Sequence, residues 1–105
     1  MTTGHHTPPD DVRNVVQRAL DWIDSGKGGP ACTDVTRIRA RQLAQGQEVR
    51  DAEVRSMRAY FERHLTDRTE PGFAPGTVGF PSPERVAWDA RGGDEGMRWI
   101  SDVDV

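Results

Sequence analysis

Apolar residues recur along this chain at helical spacing, between breaks rich in glycine and proline. The clearest case is residues 12–23, where the apolar positions follow the i, i+3, i+4, i+7 pattern of one helical face. The letters TPPDD at residues 7–11 suit a first turn, because proline loses no hydrogen bond there and aspartate complements the helix dipole. The run GKGGP at residues 26–30 then stops the helix.

Four further helices are predicted from shorter patterns. The second covers about 34–44, with a thin apolar stripe, and the third covers about 51–64. An N-cap serine followed by proline and glutamate begins a fourth helix, 83–91, and a Gly-Gly-Asp corner leads into a fifth, 95–101. No stretch alternates as a strand. The predicted fold class is therefore all-α, with about five short helices around one small core and a long Pro/Gly-rich loop, 65–81, between helices three and four. The apolar stripe of the second helix consists of Val35, Ile38, Ala40 and Leu43.

The length and composition indicate one small domain. The chain has 105 residues, of which 34% are hydrophobic and 30% are charged, so the core must be small. We predict a disordered arm at 1–7, a single helical domain at 8–101 and a frayed end at 102–105. Four aromatic residues are predicted to lie in the core: Trp22, Phe61, Trp88 and Trp99.

The cellular compartment is predicted from what the sequence lacks. No apolar run approaches the roughly 20 residues that a membrane span needs, so no membrane partner is expected. The N-terminus has neither the basic nor the apolar region of a secretory signal. The single cysteine, Cys32, excludes an internal disulfide. We therefore expect a protein of the reducing cytoplasm, or one carried in a particle assembled there.

Two blocks of sequence carry a family resemblance. The first comprises GG at 28–29, VTRIRARQL at 35–43 and YFERH at 60–64; the second comprises GFPS at 79–82, VAW at 86–88, GGD at 92–94 and Trp99. Together they resemble a small domain found in or beside head-morphogenesis, prohead-protease and capsid-related proteins of tailed bacteriophages. The resemblance implies a phage protein of the host cytoplasm, or one associated with the virion, and it carries no catalytic residue onto this chain. The chain departs from the family pattern at Arg50, where the family has a serine cap, and at 89–91, where the family has apolar residues and a second tryptophan.

The charge is distributed unevenly. Residues 37–68 carry eight basic and five acidic side chains, whereas the segments on either side are acidic. Arginine pairs well with carboxylate and phosphate, so the middle of the chain is a candidate binding surface. The alternative is a solvated face neutralised by Asp51, Glu53 and Glu62, and the net charge of −3 favours this over a nucleic-acid footprint. The candidate binding residues are Arg37, Arg41, Arg55, Arg58 and Arg63.

Other candidate chemistry is weak. The histidines at 5, 6 and 64 and the cysteine at 32 lack the spacing of metal ligands, so we predict no metal and no cofactor. Cys32 has no base nearby in the sequence that would make it a nucleophile. The glycine run at 26–29 follows a helix rather than a strand and lacks Walker spacing, which excludes a phosphate loop.

The function predicted from these features is a non-enzymatic interaction module associated with phage head structure or assembly. It would bind a phage or host protein through the Arg-rich helices or through the 65–81 loop. The alternative is a helix-turn-helix-like regulator that binds nucleic acid, and this requires Arg55 and Arg58 to face outward. A third hypothesis, a small enzyme or enzyme inhibitor, needs a pocket of carboxylates that the sequence does not supply. The partner's identity and the oligomeric state stay open.

Overall fold

The fold is mostly all-α, as the hydrophobic pattern predicts. The structure, a computed structural model, describes residues 4–30 and 32–104. A 3-10 helix and a minimal two-stranded sheet complete the regular structure of these residues. In chain order the elements are β1 (His5–His6), α1 (Asp10–Asp24), α2 (Asp34–Ala44), β2 (Val49–Arg50), α3 (Asp51–His64), the 3-10 helix (Leu65–Thr69), α4 (Pro83–Ala90) and α5 (Gly93–Ser101).

Helix α1 is the element around which the others pack. Its buried residues recur three and four positions apart, as the periodicity predicts, and they line the side that faces the rest of the fold. Helices α2, α4 and α5 lie against α1, whereas α3 packs on α5. Consequently α2 and α3 are held by different neighbours and do not pack closely on each other. The buried residues of α1 are Val12, Val15, Val16, Ala19, Leu20 and Ile23.

The core contains an aromatic cluster centred on Trp88, which is 1% exposed. Its ring centroid lies 4.7 Å from that of Phe61 and 5.7 Å from that of Phe73. Its indole N–H donates a hydrogen bond of 3.0 Å to Asp94 Oδ1, so the buried donor is satisfied. Phe61 is also buried, whereas Trp22 and Trp99 are partly buried and pack against the core from its edge.

The N-terminal end differs from the predicted disordered arm. His5 and His6 form β1, which pairs antiparallel with β2. His6 Nε2 also lies 2.7 Å from Asp51 Oδ1 at the start of α3. Strands of two residues are too short for a period-2 pattern, which needs at least about four positions, so the sequence could not predict this sheet. The part of the predicted arm at Met1–Thr3 lies outside the described residues.

The C-terminal end is also held more firmly than the predicted fraying implies. The side chain of Val103 packs against the core, and its carbonyl accepts a hydrogen bond from Arg58. The last helix, α5, ends at Ser101 as expected, but the contacts continue two residues beyond it. Val105 lies outside the described residues.

The 65–81 loop is anchored at several points. Phe73 is buried beside Trp88, and the Ser82 N–H donates a hydrogen bond of 2.9 Å to the Gly72 carbonyl. Arg85 Nη1 donates to the Phe73 carbonyl at 2.8 Å. Val78, between these anchors, is 92% exposed. The loop is therefore held against the core by these contacts.

A buried carboxylate ties α1 to α4. Asp89 is 1% exposed and accepts hydrogen bonds from Arg18 Nη2 at 2.7 Å and from Arg85 Nε at 3.1 Å. Burial raises the pKa of the Asp89 carboxyl, and the two guanidinium groups oppose that rise. Because Arg85 also holds the Phe73 carbonyl, one charged network fixes both the helix pair and the loop.

Candidate protein-interaction groove

An open groove of about 150 Å³ lies between α2 and α3. It exists because α2 rests on α1 while α3 rests on α5, which leaves the two helices apart. Its apolar lining residues other than Val35, here called the floor, are Leu43, Val49, Met57, Tyr60 and Ala90. The other lining residues, here called the walls, are Val35 and the polar side chains of Thr36, Arg39, Gln42, Gln47, Glu48, Glu53, Ser56, Arg63 and Arg91.

The face that α2 buries differs from the predicted stripe. The buried residues are Thr36, Ala40 and Leu43, whereas Val35 is 60% exposed and Ile38 is 53% exposed. Thr36 tolerates burial because its hydroxyl lies 3.2 Å from that of Thr33, the N-cap residue of α2. Half of the predicted stripe is therefore wrong, and the error leaves two large aliphatic side chains facing solvent. Val35 lines the groove.

The predicted binding arginines do not form one surface. Arg63 lines the groove from α3, and Arg39, which was not among the candidates, lines it from α2. Arg37 and Arg41 are one turn apart on another side of α2, since at about 100° per residue they lie away from the groove positions Val35 and Arg39. Arg55 is exposed on α3 but does not line the groove.

Arg58 has a structural position that contradicts the expected outward orientation. Its guanidinium donates to the Ile100 carbonyl, with Nη2 at 2.6 Å, and also to the Val103 carbonyl. The last carbonyls of a helix lack intrahelical donors, and a cation there complements the helix dipole. Arg58 therefore joins α3 to the end of α5. The helix-turn-helix hypothesis required this side chain to point away from the fold.

Two of the three acids that were expected to neutralise the basic middle have other partners. Asp51 pairs with His6, and Glu53 Oε1 accepts the backbone N–H of Arg50 at 3.2 Å, which caps the start of α3. Among the described residues, the arginines with a carboxylate within 4.0 Å are numbers 13, 18, 68 and 85. Arg39 and Arg63 have no such partner there, so their charges remain available at the groove.

The groove is basic at one end. The Arg91 guanidinium carbon lies 4.0 Å from the centre of the Tyr60 ring, and its Nη1 donates to the Ala87 carbonyl at 3.3 Å. Burial raises the pKa of Tyr60 to about 12, and the charges of Arg91 and Arg63 oppose that rise. Both arginines are thus close to the same phenol. Glu48 and Glu53 line the other end, beside β2.

Tyr60 is the only tyrosine, so its ionisation is directly measurable. We expect the native protein to form phenolate near pH 12, and the urea-unfolded protein to do so near the ordinary value of 10. Because the folded pKa lies above the unfolded one, this group's contribution to stability is complete below pH 10 and is lost as the pH rises through 12. A titration of phenolate absorbance checks this. Native ionisation near pH 10 would mean that Tyr60 is not part of the groove floor.

The remaining candidate groups offer no reactive site. Cys32 is half-buried, and burial raises the pKa of its thiol, which keeps the sulfur protonated at neutral pH. His64 stacks on Tyr60 and lies 2.9 Å from Asp67 Oδ2. Within residues 4–30 and 32–104, no three side chains of His, Cys, Asp or Glu are grouped as metal ligands would be. None of the helices described is long and apolar enough to cross a membrane.

Comparison with known proteins adds no function to this picture. No family model, curated protein or solved structure matches the chain. The likeness to the phage domain stays a prediction from the two sequence blocks, and the candidate site rests on the groove itself.

Proposed function

We propose that this protein is a non-enzymatic interaction module that binds a segment of a partner protein in the groove between α2 and α3. The observation that carries the proposal is the apolar floor of this groove together with the exposure of Val35 on its wall. Concave sites with apolar floors and a few polar groups are the usual places where proteins bind ligands and peptide segments. Ile38, one turn from Val35, extends the apolar surface beyond the rim.

The groove is better suited to this role than the 65–81 loop. Phe73 of the loop is buried, and the loop backbone is held by Ser82 and Arg85. Leu65 and Val78 are its exposed large aliphatic side chains, and single exposed aliphatic side chains are normal on a protein surface. We therefore assign partner binding to the groove.

The nucleic-acid alternative has less support. It needs an outward row of cations on α3, and the Arg58 guanidinium is occupied by the carbonyls at the end of α5. It also needs a second helix packed on the first, whereas α2 and α3 rest on different neighbours. The family resemblance suggests that the partner is a phage structural or assembly protein, and this biological setting remains part of the proposal.

The proposal is tested by selecting binders from a displayed library of short random peptides. Peptides that bind the wild-type protein are measured by fluorescence anisotropy against Val35→Glu and against Val78→Glu, a matched change at a site more exposed than Val35 and outside the groove. We expect Val35→Glu to weaken binding by about tenfold or more, because it places a charge against an apolar contact. Val78→Glu should bind like the wild type. Equal affinity of both variants would contradict the groove as the site, and a loss confined to Val78→Glu would transfer the site to the loop.

A further inference from the structure

We infer that the partner segment is an acidic amphipathic peptide, with apolar side chains on the groove floor and carboxylates at the end of the groove where Arg63 and Arg91 lie. The inference rests on the proposed function and names the partner's chemistry and direction. The arginine-lined end of the groove complements the negative charge of such a ligand.

The arginines of the groove are not satisfied by the protein's own acids. Arg39 and Arg63 have no carboxylate within ion-pair distance among the described residues. The charge of Asp67 raises the pKa of the Tyr60 phenol, whereas the charges of Arg63 and Arg91 lower it. The Asp67 carboxylate is paired with His64, with Oδ2 2.9 Å from His64 Nδ1. A guanidinium presents planar N–H donors that match a carboxylate with two parallel hydrogen bonds. Carboxylates on a partner would therefore find the guanidinium donors of Arg63, which no carboxylate among the described residues uses.

The acids of the groove lie too far from Arg63 to occupy its donors. Glu53 is at the start of α3 and Arg63 is ten residues further on, which at 1.5 Å per residue separates their Cα atoms by about 15 Å along the helix. Glu48 is beyond Glu53, next to β2. The groove thus has a basic end and an acidic end. Like charges repel, so a peptide's carboxylates are favoured at one end and disfavoured at the other, which gives the bound segment a direction.

The floor of the groove favours a peptide over a nucleic acid. Leu43, Val49 and Met57 offer apolar contacts for aliphatic side chains, which a phosphate backbone lacks. The chain's overall charge of −3 also repels a polyanion at long range, whereas a short peptide with a few carboxylates experiences mainly the local arginines.

The test uses the peptides selected from the displayed random library. We expect them to combine aliphatic residues with aspartate or glutamate clustered towards one end. Arg63→Glu should weaken their binding by about tenfold or more, and replacing their acids with amides should do the same. Arg41→Glu is the matched control, since Arg41 is exposed on α2 outside the groove, and its effect should stay below about twofold. Circular dichroism confirms that each variant is folded.

The outcomes separate this inference from the proposed function. Peptides that depend on Val35 but bind Arg63→Glu as tightly as the wild type would overturn the acidic partner and leave groove binding intact. Failure to select any Val35-dependent peptide would overturn both. If light scattering shows that the protein self-associates and that Arg63→Glu abolishes this, the occupant is a second copy of the chain, which also contradicts the inference. A peptide that binds equally well with its sequence reversed would contradict the direction.

Discussion

Trp88→Ala is expected to lower the free energy of unfolding by about 3–5 kcal/mol, the usual cost of removing a large buried aromatic side chain. Trp88 is 1% exposed and is in ring contact with Phe61, Phe73 and Tyr60, so its loss leaves a cavity that three helices and the loop border. The substitution also removes the indole N–H that donates a hydrogen bond to Asp94 at the start of α5. Urea denaturation followed by circular dichroism measures the change.

Two variants control for the position of Trp88. Trp99→Ala removes the same side chain from a partly buried site at the edge of the core, so its cost should be clearly smaller. Val78→Ala, at the exposed tip of the loop, should leave stability within about 0.5 kcal/mol of the wild type. If Trp88→Ala proved as mild as Val78→Ala, Trp88 would be a surface contact and the aromatic cluster would not be the core.

Gly92→Ala is expected to cost roughly 2–5 kcal/mol, the sum of a backbone and a packing contribution. Gly92 has φ +116°, a conformation that side chains with a Cβ rarely adopt. An added Cβ would also lie 2.9 Å from the Gly96 Cα, within the first turn of α5. The Gly96 N–H donates a hydrogen bond of 2.8 Å to the Gly92 carbonyl, so the two residues cannot separate without disrupting the helix start. A thermal or urea melt measures the loss.

Gly76→Ala separates the two contributions. Gly76 also has a positive φ, +85°, but no atom lies within 4 Å of an added Cβ. This variant should therefore show the backbone cost alone, about 1–2 kcal/mol. Equal losses at Gly92 and Gly76 would show that the close approach of α5 is not what requires glycine at the corner.

The structure helps to explain which helices could be predicted. Helix α4 begins with an N-cap serine whose hydroxyl accepts a hydrogen bond of 3.1 Å from the Arg85 backbone N–H. It ends before the Gly92-Gly93 pair, as the local sequence predicts. These features depend on residues within a few positions of each other. The β1–β2 pair joins residues about 45 positions apart over two residues each, and no local pattern encodes such a contact.

The groove could not be predicted from the same patterns. Helical periodicity states which residues share a face, but in α2 two faces compete, one with Val35 and Ile38 and one with Thr36, Ala40 and Leu43. The choice is made by packing against α1, and the Thr33 cap lets a threonine take the buried position. Arg58 shows the same limit, because nothing near it in the sequence indicates that the end of α5 lies beside it.

The sequence by itself determined the all-α class, the start and end of most helices and the burial of Phe61 and Trp88, because caps, breaks and periodicity act over a few residues. Only the tertiary structure decided which face of α2 is buried, where each arginine lies and that α2 and α3 stand apart. These outcomes depend on contacts between residues far apart in the chain, where burial of one surface excludes burial of another. The groove is the consequence of that competition.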